Sequence, residues 1–186
     1  MNIGMKSRLR GFVELRRTRY EYGPAAKKAE TPLIEPYRIN RQKFVAALQH
    51  RHARKRVSIL VVEDQRFNLQ MVVEILGRGF DTHPAIDGAT ALKLYETHAP
   101  DMVFLDIDLP GIDGLCVLEA ITALDPESFI VMLTASHDQK DVERAMQCKA
   151  QGYIVKPFTR QKINQYLSLY KETFPDRAKK QKGAGA

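Results

Sequence analysis

The chain has 186 residues, 44% of them hydrophobic and 27% charged, with a formal charge of +7. That balance suits one packed domain with extensions. No apolar run reaches the roughly eighteen residues that cross a bilayer, and none follows Lys6, Arg8 and Arg10 to make a secretory leader. Cys116 and Cys148 form no CxxC pair and read as reduced thiols of a cytoplasmic protein.

The charge is unevenly placed. Residues 1–56 hold 15 Lys and Arg against 4 Asp and Glu, a surplus of 11. Residues 57–174 hold 10 against 17, a deficit of 7, and residues 175–186 hold 4 against 1. The basic character therefore belongs to the ends, and an acidic domain lies between them.

Residues 1–39 have little periodicity. Gly11 to Tyr22 reads as a short strand or helix, and Pro24, Pro32 and Pro36 break up the stretch from 23 to 39. Asn40 is placed to cap a helix over 41–55, with Phe44, Val45 and Leu48 as a narrow apolar stripe on a basic rod. This extension, 1–56, is compatible with binding nucleic acid, an anionic surface or an acidic protein. It is equally able to fold back on the acidic domain.

From Ser58 the chain alternates. SILVVED is a continuous apolar run ending in acids, as a buried parallel strand requires. Phe67, Leu69, Val72, Val73 and Leu76 come next at helical spacing. A weaker strand spans 80–86, a helix 89–98, a strongly apolar strand 102–107, a helix 114–124, and a strand 129–135. A helix over 138–149, a short strand 153–155 and a helix 159–170 close the series. Five strand–helix units predict an α/β fold, a five-stranded parallel sheet with helices on both faces. Residues 175–186 are expected to be a disordered basic tail.

Ligands of such sheets bind beyond the carboxyl ends of the strands. There the sequence places Glu63 and Asp64, then Asp106 with Asp108 two residues on, then Thr134, then Lys156. Two like charges about 4 Å apart repel by roughly 4 kcal/mol at an effective dielectric near 20. The clustered carboxylates therefore call for a cation, and all-oxygen ligands favour Mg²⁺. Lys156 neutralises part of the remainder. The set suits phosphoryl transfer to Asp106, with Thr134 as hydrogen-bond donor to the arriving group.

VVEDQ, VFLDIDLPGIDG, VMLTAS and GYIVKPF together resemble the receiver domain of bacterial response regulators. The resemblance implies a receiver over 57–174 with the flavodoxin-like strand order 2-1-3-4-5. It implies Asp106, four residues before Pro110, as phosphoacceptor. Asp64 would ligate Mg²⁺ directly, Glu63 through water, and Asp108 by its backbone carbonyl. Thr134 and Lys156 take the family's hydroxyl and lysine positions, Tyr153 the switch aromatic, and Lys156–Pro157 would be cis. The implied partners are a sensor histidine kinase or histidine phosphotransfer protein and a downstream protein target, with a phosphorylation-linked dimer as a further state. Asn68 resembles the form found in receivers of hybrid kinases. The acidic side chain of Asp108 is expected to alter the lifetime of the phosphoryl group.

The same residues admit two other readings. A nucleic-acid-binding regulator would use residues 1–56 as its output, although no helix-turn-helix or zinc pattern is present. Asp106-Ile107-Asp108 also resembles the nucleophile motif of haloacid-dehalogenase-like phosphatases. Those need a carboxylate soon after the lysine, and here none comes after Lys156 until Glu172.

Overall fold

The computed structural model describes residues 39–135 and 139–179. The expectations for residues 1–38, Ser136, Asp138 and 180–186 lie outside the described residues. Among those described, no helix is long and apolar enough to cross a membrane.

The elements run α1 (Arg41–Ala53), β1 (Ser58–Val62), α2 (Arg66–Leu76), β2 (Asp81–Ala85), α3 (Gly88–His98) and β3 (Met102–Asp106). They continue with α4 (Gly114–Leu124), β4 (Ile130–Thr134), α5 (Gln139–Gln147), β5 (Gly152–Val155), α6 (Arg160–Thr173) and α7 (Pro175–Ala178). The strands form one sheet in the order β2-β1-β3-β4-β5, every pair parallel. This is the predicted architecture.

β1, β3 and β4 are buried at every position, which is why their sequences are unbroken apolar runs. Alternate residues serve opposite faces. Leu60, Val62, Val103, Leu105, Ile130 and Met132 pack with Leu92, Tyr95, Leu118 and Ile121 of α3 and α4. Ile59, Val61, Phe104, Val131, Leu133 and Ile154 pack with Leu69 and Val72 of α2 and Ile163, Leu167 and Tyr170 of α6. Pro84, which has no N–H, sits in the edge strand β2, where a ladder tolerates it.

α1 packs on α3, outside the sheet and its two helical layers. Its N-cap is Asn40, as expected, whose side chain accepts from the Lys43 N–H at 3.0 Å. The expected apolar stripe is only partly right. Phe44 and Ala47 are buried and Leu48 packs on the core, but Val45 is 54% exposed. The fourth inward position is Arg51, 1% exposed. Phe44 stacks on Tyr95 with ring centroids 5.8 Å apart. Arg51 donates to Asp125 Oδ2 at 2.6 Å and to the Ala99 carbonyl at 2.9 Å, and the Tyr95 hydroxyl donates to the same Asp125 oxygen at 2.7 Å. Arg54 adds bonds to the His98 and Ala99 carbonyls at 3.0 and 2.6 Å. Those carbonyls end α3, where a helix leaves acceptors unpaired and favours cations. Ala99 itself is left-handed at φ 41°, an uncommon state for a residue with a Cβ.

The basic residues of this segment are thus largely consumed by the domain's own acids. Of the six Lys and Arg in residues 41–56, four pair with carboxylates: Lys43 with Glu96, Arg51 with Asp125, Arg54 with Asp101 and Arg56 with Asp81.

The expectation of disorder from residue 175 is corrected for 175–178. These residues form α7, with Pro175 in its first turn. Ala178 packs on the core beside Phe174, and Arg177 pairs with Glu127 and lies 4.5 Å over the Phe174 ring. The composition reads as tail, but the aromatic residue before it provides the anchor.

Candidate functional site

The carboxyl edge of the sheet gathers the expected side chains. β1 ends at Val62 and delivers Glu63, which is fully buried; its N–H is held by the Ala85 carbonyl of β2 at 3.1 Å. Asp64 is next in the chain and is exposed. β3 ends on Asp106, also fully buried. Gly114 opens α4 directly against it. A Cβ at Gly114 would lie 1.8 Å from the Asp106 carbonyl oxygen, so only glycine lets the helix start there. Thr134 ends β4, buried, and its carbonyl accepts from the Lys156 N–H at 2.8 Å. Lys156 comes directly after β5, and the Lys156–Pro157 bond is cis, as expected.

Lys156 is the hub. Its Nζ donates to Asp106 Oδ2 at 2.6 Å and to Glu63 Oε1 at 3.1 Å. Glu63 Oε2 is 2.9 Å from the same ammonium but outside hydrogen-bonding geometry, and it is buried without any hydrogen bond. The Phe158 ring lies 5.8 Å below the ammonium. The Asp106 carboxyl is pushed up to about 6 by burial, with Glu63 adding to the rise and the Lys156 hydrogen bond opposing it. Burial pulls the Lys156 ammonium down, but its bonds to Asp106 and Glu63 outweigh that and raise it on balance.

Glu63, Asp64 and Asp106 each present an oxygen within 4.8 Å of the others, and among the described residues no other His, Cys, Asp or Glu group of three does so. Lys156 alone cannot balance three carboxylates. The residues present therefore fit a hard, oxygen-seeking cation: three carboxylates on one edge, one of them exposed, and a buried carboxylate oxygen with no hydrogen bond.

The sequence also misses some of what shapes the site. Asn68, in the first turn of α2, donates to Glu63 Oε1 at 3.1 Å and to Gln65 Oε1 at 3.1 Å. It thereby orients the buried acid. Its spacing four after Asp64 is visible in sequence, but its partner is not. The main-chain N–H of Asp108 reaches Asp106 Oδ1 at 3.3 Å, whereas the Asp108 side chain is exposed. Tyr153 stands outward, 44% exposed, and Phe67, at the start of α2 three residues after Asp64, is 80% exposed.

Comparison with known proteins gives a consistent result. Residues 59–168 match the response regulator receiver domain. Chemotaxis protein CheY of Bacillus subtilis is 37% identical over 107 residues, covering 56% of this chain and 89% of CheY. The DNA-binding response regulator MtrA of Mycobacterium tuberculosis is 42% identical over 104 residues, covering 55% of this chain and 45% of MtrA, so the chain spans under half of that relative. Among solved structures, a chain of the CheX–CheY–BeF₃–Mg²⁺ complex from Borrelia burgdorferi superposes with TM-score 0.58 at 30% identity, covering 61% of this chain and 89% of that one. A CheY-like receiver domain protein from Methanospirillum hungatei shares the fold, with TM-score 0.62 at 23% identity over 65% of this chain and 98% of that one.

Proposed function

Since the chain belongs to the response regulator receiver domain family, we propose that it accepts a phosphoryl group on Asp106 in a two-component relay and signals through a switched protein-binding surface. The observation that carries this reading is the imbalance at the sheet edge: Glu63, Asp64 and Asp106 against the single ammonium of Lys156.

A carboxylate oxygen of Asp106 attacks phosphorus, and the bond from phosphorus to the donor nitrogen of a phosphohistidine breaks, leaving the donor imidazole. Lys156 already touches Asp106 Oδ2 and is placed to hold a phosphoryl oxygen in its stead. Thr134, at the end of the neighbouring strand, donates to another. Asp64, Asp106 and the main-chain carbonyl of Asp108 would hold Mg²⁺, with Glu63 behind them, and the ion when bound supplies positive charge to the phosphoryl oxygens. The hydroxyl of Thr134 moving inward opens room for the ring of Tyr153, a two-state packing change. Phe67, at the start of α2, and Ile86, just past the end of β2, are exposed apolar side chains suited to docking the donor, a histidine kinase or phosphotransfer protein. The exposed carboxylate of Asp108 stands next to the acceptor and tunes phosphoryl lifetime; an unchanged dephosphorylation rate in Asp108→Asn would remove that role.

The match over 59–168 supports the receiver reading over the phosphatase-like one. The nucleic-acid reading loses support from residues 41–56, where four of six cations face the domain's own carboxylates.

The test is intact mass after incubation with acetyl phosphate and Mg²⁺. One phosphoryl group is expected on wild type, none on Asp106→Ala, and none when Mg²⁺ is chelated. Equal uptake by Asp106→Ala would overturn the assignment.

A further inference from the structure

β5 is the last strand of the sheet, so one side of its backbone has no strand partner. Such an edge normally exposes unpaired N–H and C=O groups and invites another chain to pair with it. Here α6 turns back over it. The Tyr166 hydroxyl accepts from the Tyr153 N–H at 3.1 Å and donates to the Tyr153 carbonyl at 3.1 Å. One turn earlier on the same helix, Lys162 Nζ donates to the Val155 carbonyl at 3.0 Å. Two side chains thus stand where a sixth strand would. The fit is close: a Cβ at Gly152 would lie 2.3 Å from the Tyr166 hydroxyl, so a side chain there would displace the phenol. Burial pushes the Tyr166 phenol up, although its bond to the Tyr153 main chain opposes this, so the hydroxyl keeps the proton it donates.

The residue held this way is Tyr153, whose side chain points outward while both of its main-chain polar groups are engaged. Three residues on, the same strand delivers Lys156. We propose that Tyr166 is a positioning residue for the switch: its hydroxyl pins the backbone of Tyr153 so that the change following phosphorylation is a turn of the Tyr153 side chain alone, with β5 and Lys156 held in place. This deepens the phosphoacceptor reading above and rests on it.

The full chain is labelled with fluorotyrosine, the Tyr153 resonance being assigned by its loss in Tyr153→Phe. Amide exchange at Tyr153 is measured in parallel, with and without beryllofluoride and Mg²⁺. In wild type the Tyr153 fluorine signal is expected to move on adding beryllofluoride, while its amide exchange stays within about twofold. Tyr166→Phe removes only the hydroxyl, and Gly152→Ala displaces the phenol by a separate route. Both are expected to exchange the Tyr153 amide roughly tenfold faster, as loss of one or two hydrogen bonds implies, and to make that exchange respond to beryllofluoride. Wild-type exchange in both variants, or a wild type whose Tyr153 amide opens on adding beryllofluoride, overturns the pinning role while leaving the phosphoacceptor reading intact. A wild type with no fluorine response overturns that reading and this proposal together.

Discussion

The carboxyl edge of the sheet and the seat of α1 are built from the same materials, mostly buried carboxylates facing basic side chains, and they differ in balance. At the edge, Glu63 and Asp106 share Lys156 and the carboxylate of Asp64 lies beside them. Under α1, Lys43, Arg51, Arg54 and Arg56 each have a carboxylate of their own, and Arg51 and Arg54 also fill carbonyls at the end of α3. A cluster whose charges are matched one to one holds the fold together. An unbalanced one holds charge that a cation or a phosphoryl oxygen can exploit. Unmatched charge, rather than charge as such, separates the functional site from the structural one.

The largest test of this contrast is Arg51→Ala. Removing one partner of a buried pair leaves the other charged and unpaired, so a loss of roughly 3–5 kcal/mol is expected in urea unfolding. Arg51→Met with Asp125→Leu should cost clearly less, because neither charge is then stranded. If Arg51→Ala unfolds like wild type, the lock under α1 is not structural.

The opposite sign is expected at the functional edge. Burial holds the Asp106 carboxyl at about 6, so the folded state keeps its proton more tightly than the unfolded chain. The stability this contributes is present at low pH and lost as pH rises through about 6. At pH 7 without divalent metal, Asp106→Asn should therefore stabilise the protein, by ~1–3 kcal/mol. A destabilised Asp106→Asn would mean that the edge is as well balanced as the seat of α1.

A smaller effect concerns His83, which stacks on His98 at 4.1 Å between ring centroids and shares a bond with Ser58 Oγ at 2.9 Å. Burial, then His98 and Arg54, lower its imidazole to about 4. Since the unfolded chain takes the proton first, stability is complete above about 6.5 and is lost as pH falls toward 4. His83→Gln should flatten that limb by up to ~1 kcal/mol, discounted for partial exposure. A limb of unchanged slope would assign it to other groups. Smallest of all, Val45→Lys should shift stability by no more than ~0.5 kcal/mol, since the side chain faces solvent. A large loss would restore the apolar stripe expected over Phe44, Val45 and Leu48.

The core strands were legible because a strand buried on both faces has to be apolar throughout, and β1, β3 and β4 are. The site was legible for a related reason. Each of its residues sits at or just past a strand end, and a parallel sheet brings all those ends to one edge. The seat of α1 offered no such rule. Arg51 lies 74 residues from Asp125 and 44 from Tyr95 in sequence, and no periodicity marks an arginine as an inward position. Tyr166 was hidden in the same way, since its phenol is read from sequence as ordinary helix surface or core, and only the sheet order exposes the β5 edge that it covers.

By itself, then, the sequence determined the order of strands and helices, the sheet's parallel sense and the residues gathered at its carboxyl edge. These come from local apolar patterning and from a topology in which chain direction dictates where strand ends meet. Tertiary structure alone decided which face of α1 is buried, which acids its cations meet, and that Tyr166 holds the main chain of Tyr153. Those outcomes depend on distances between segments far apart in the chain, where shape and charge complementarity, not local pattern, select the partner.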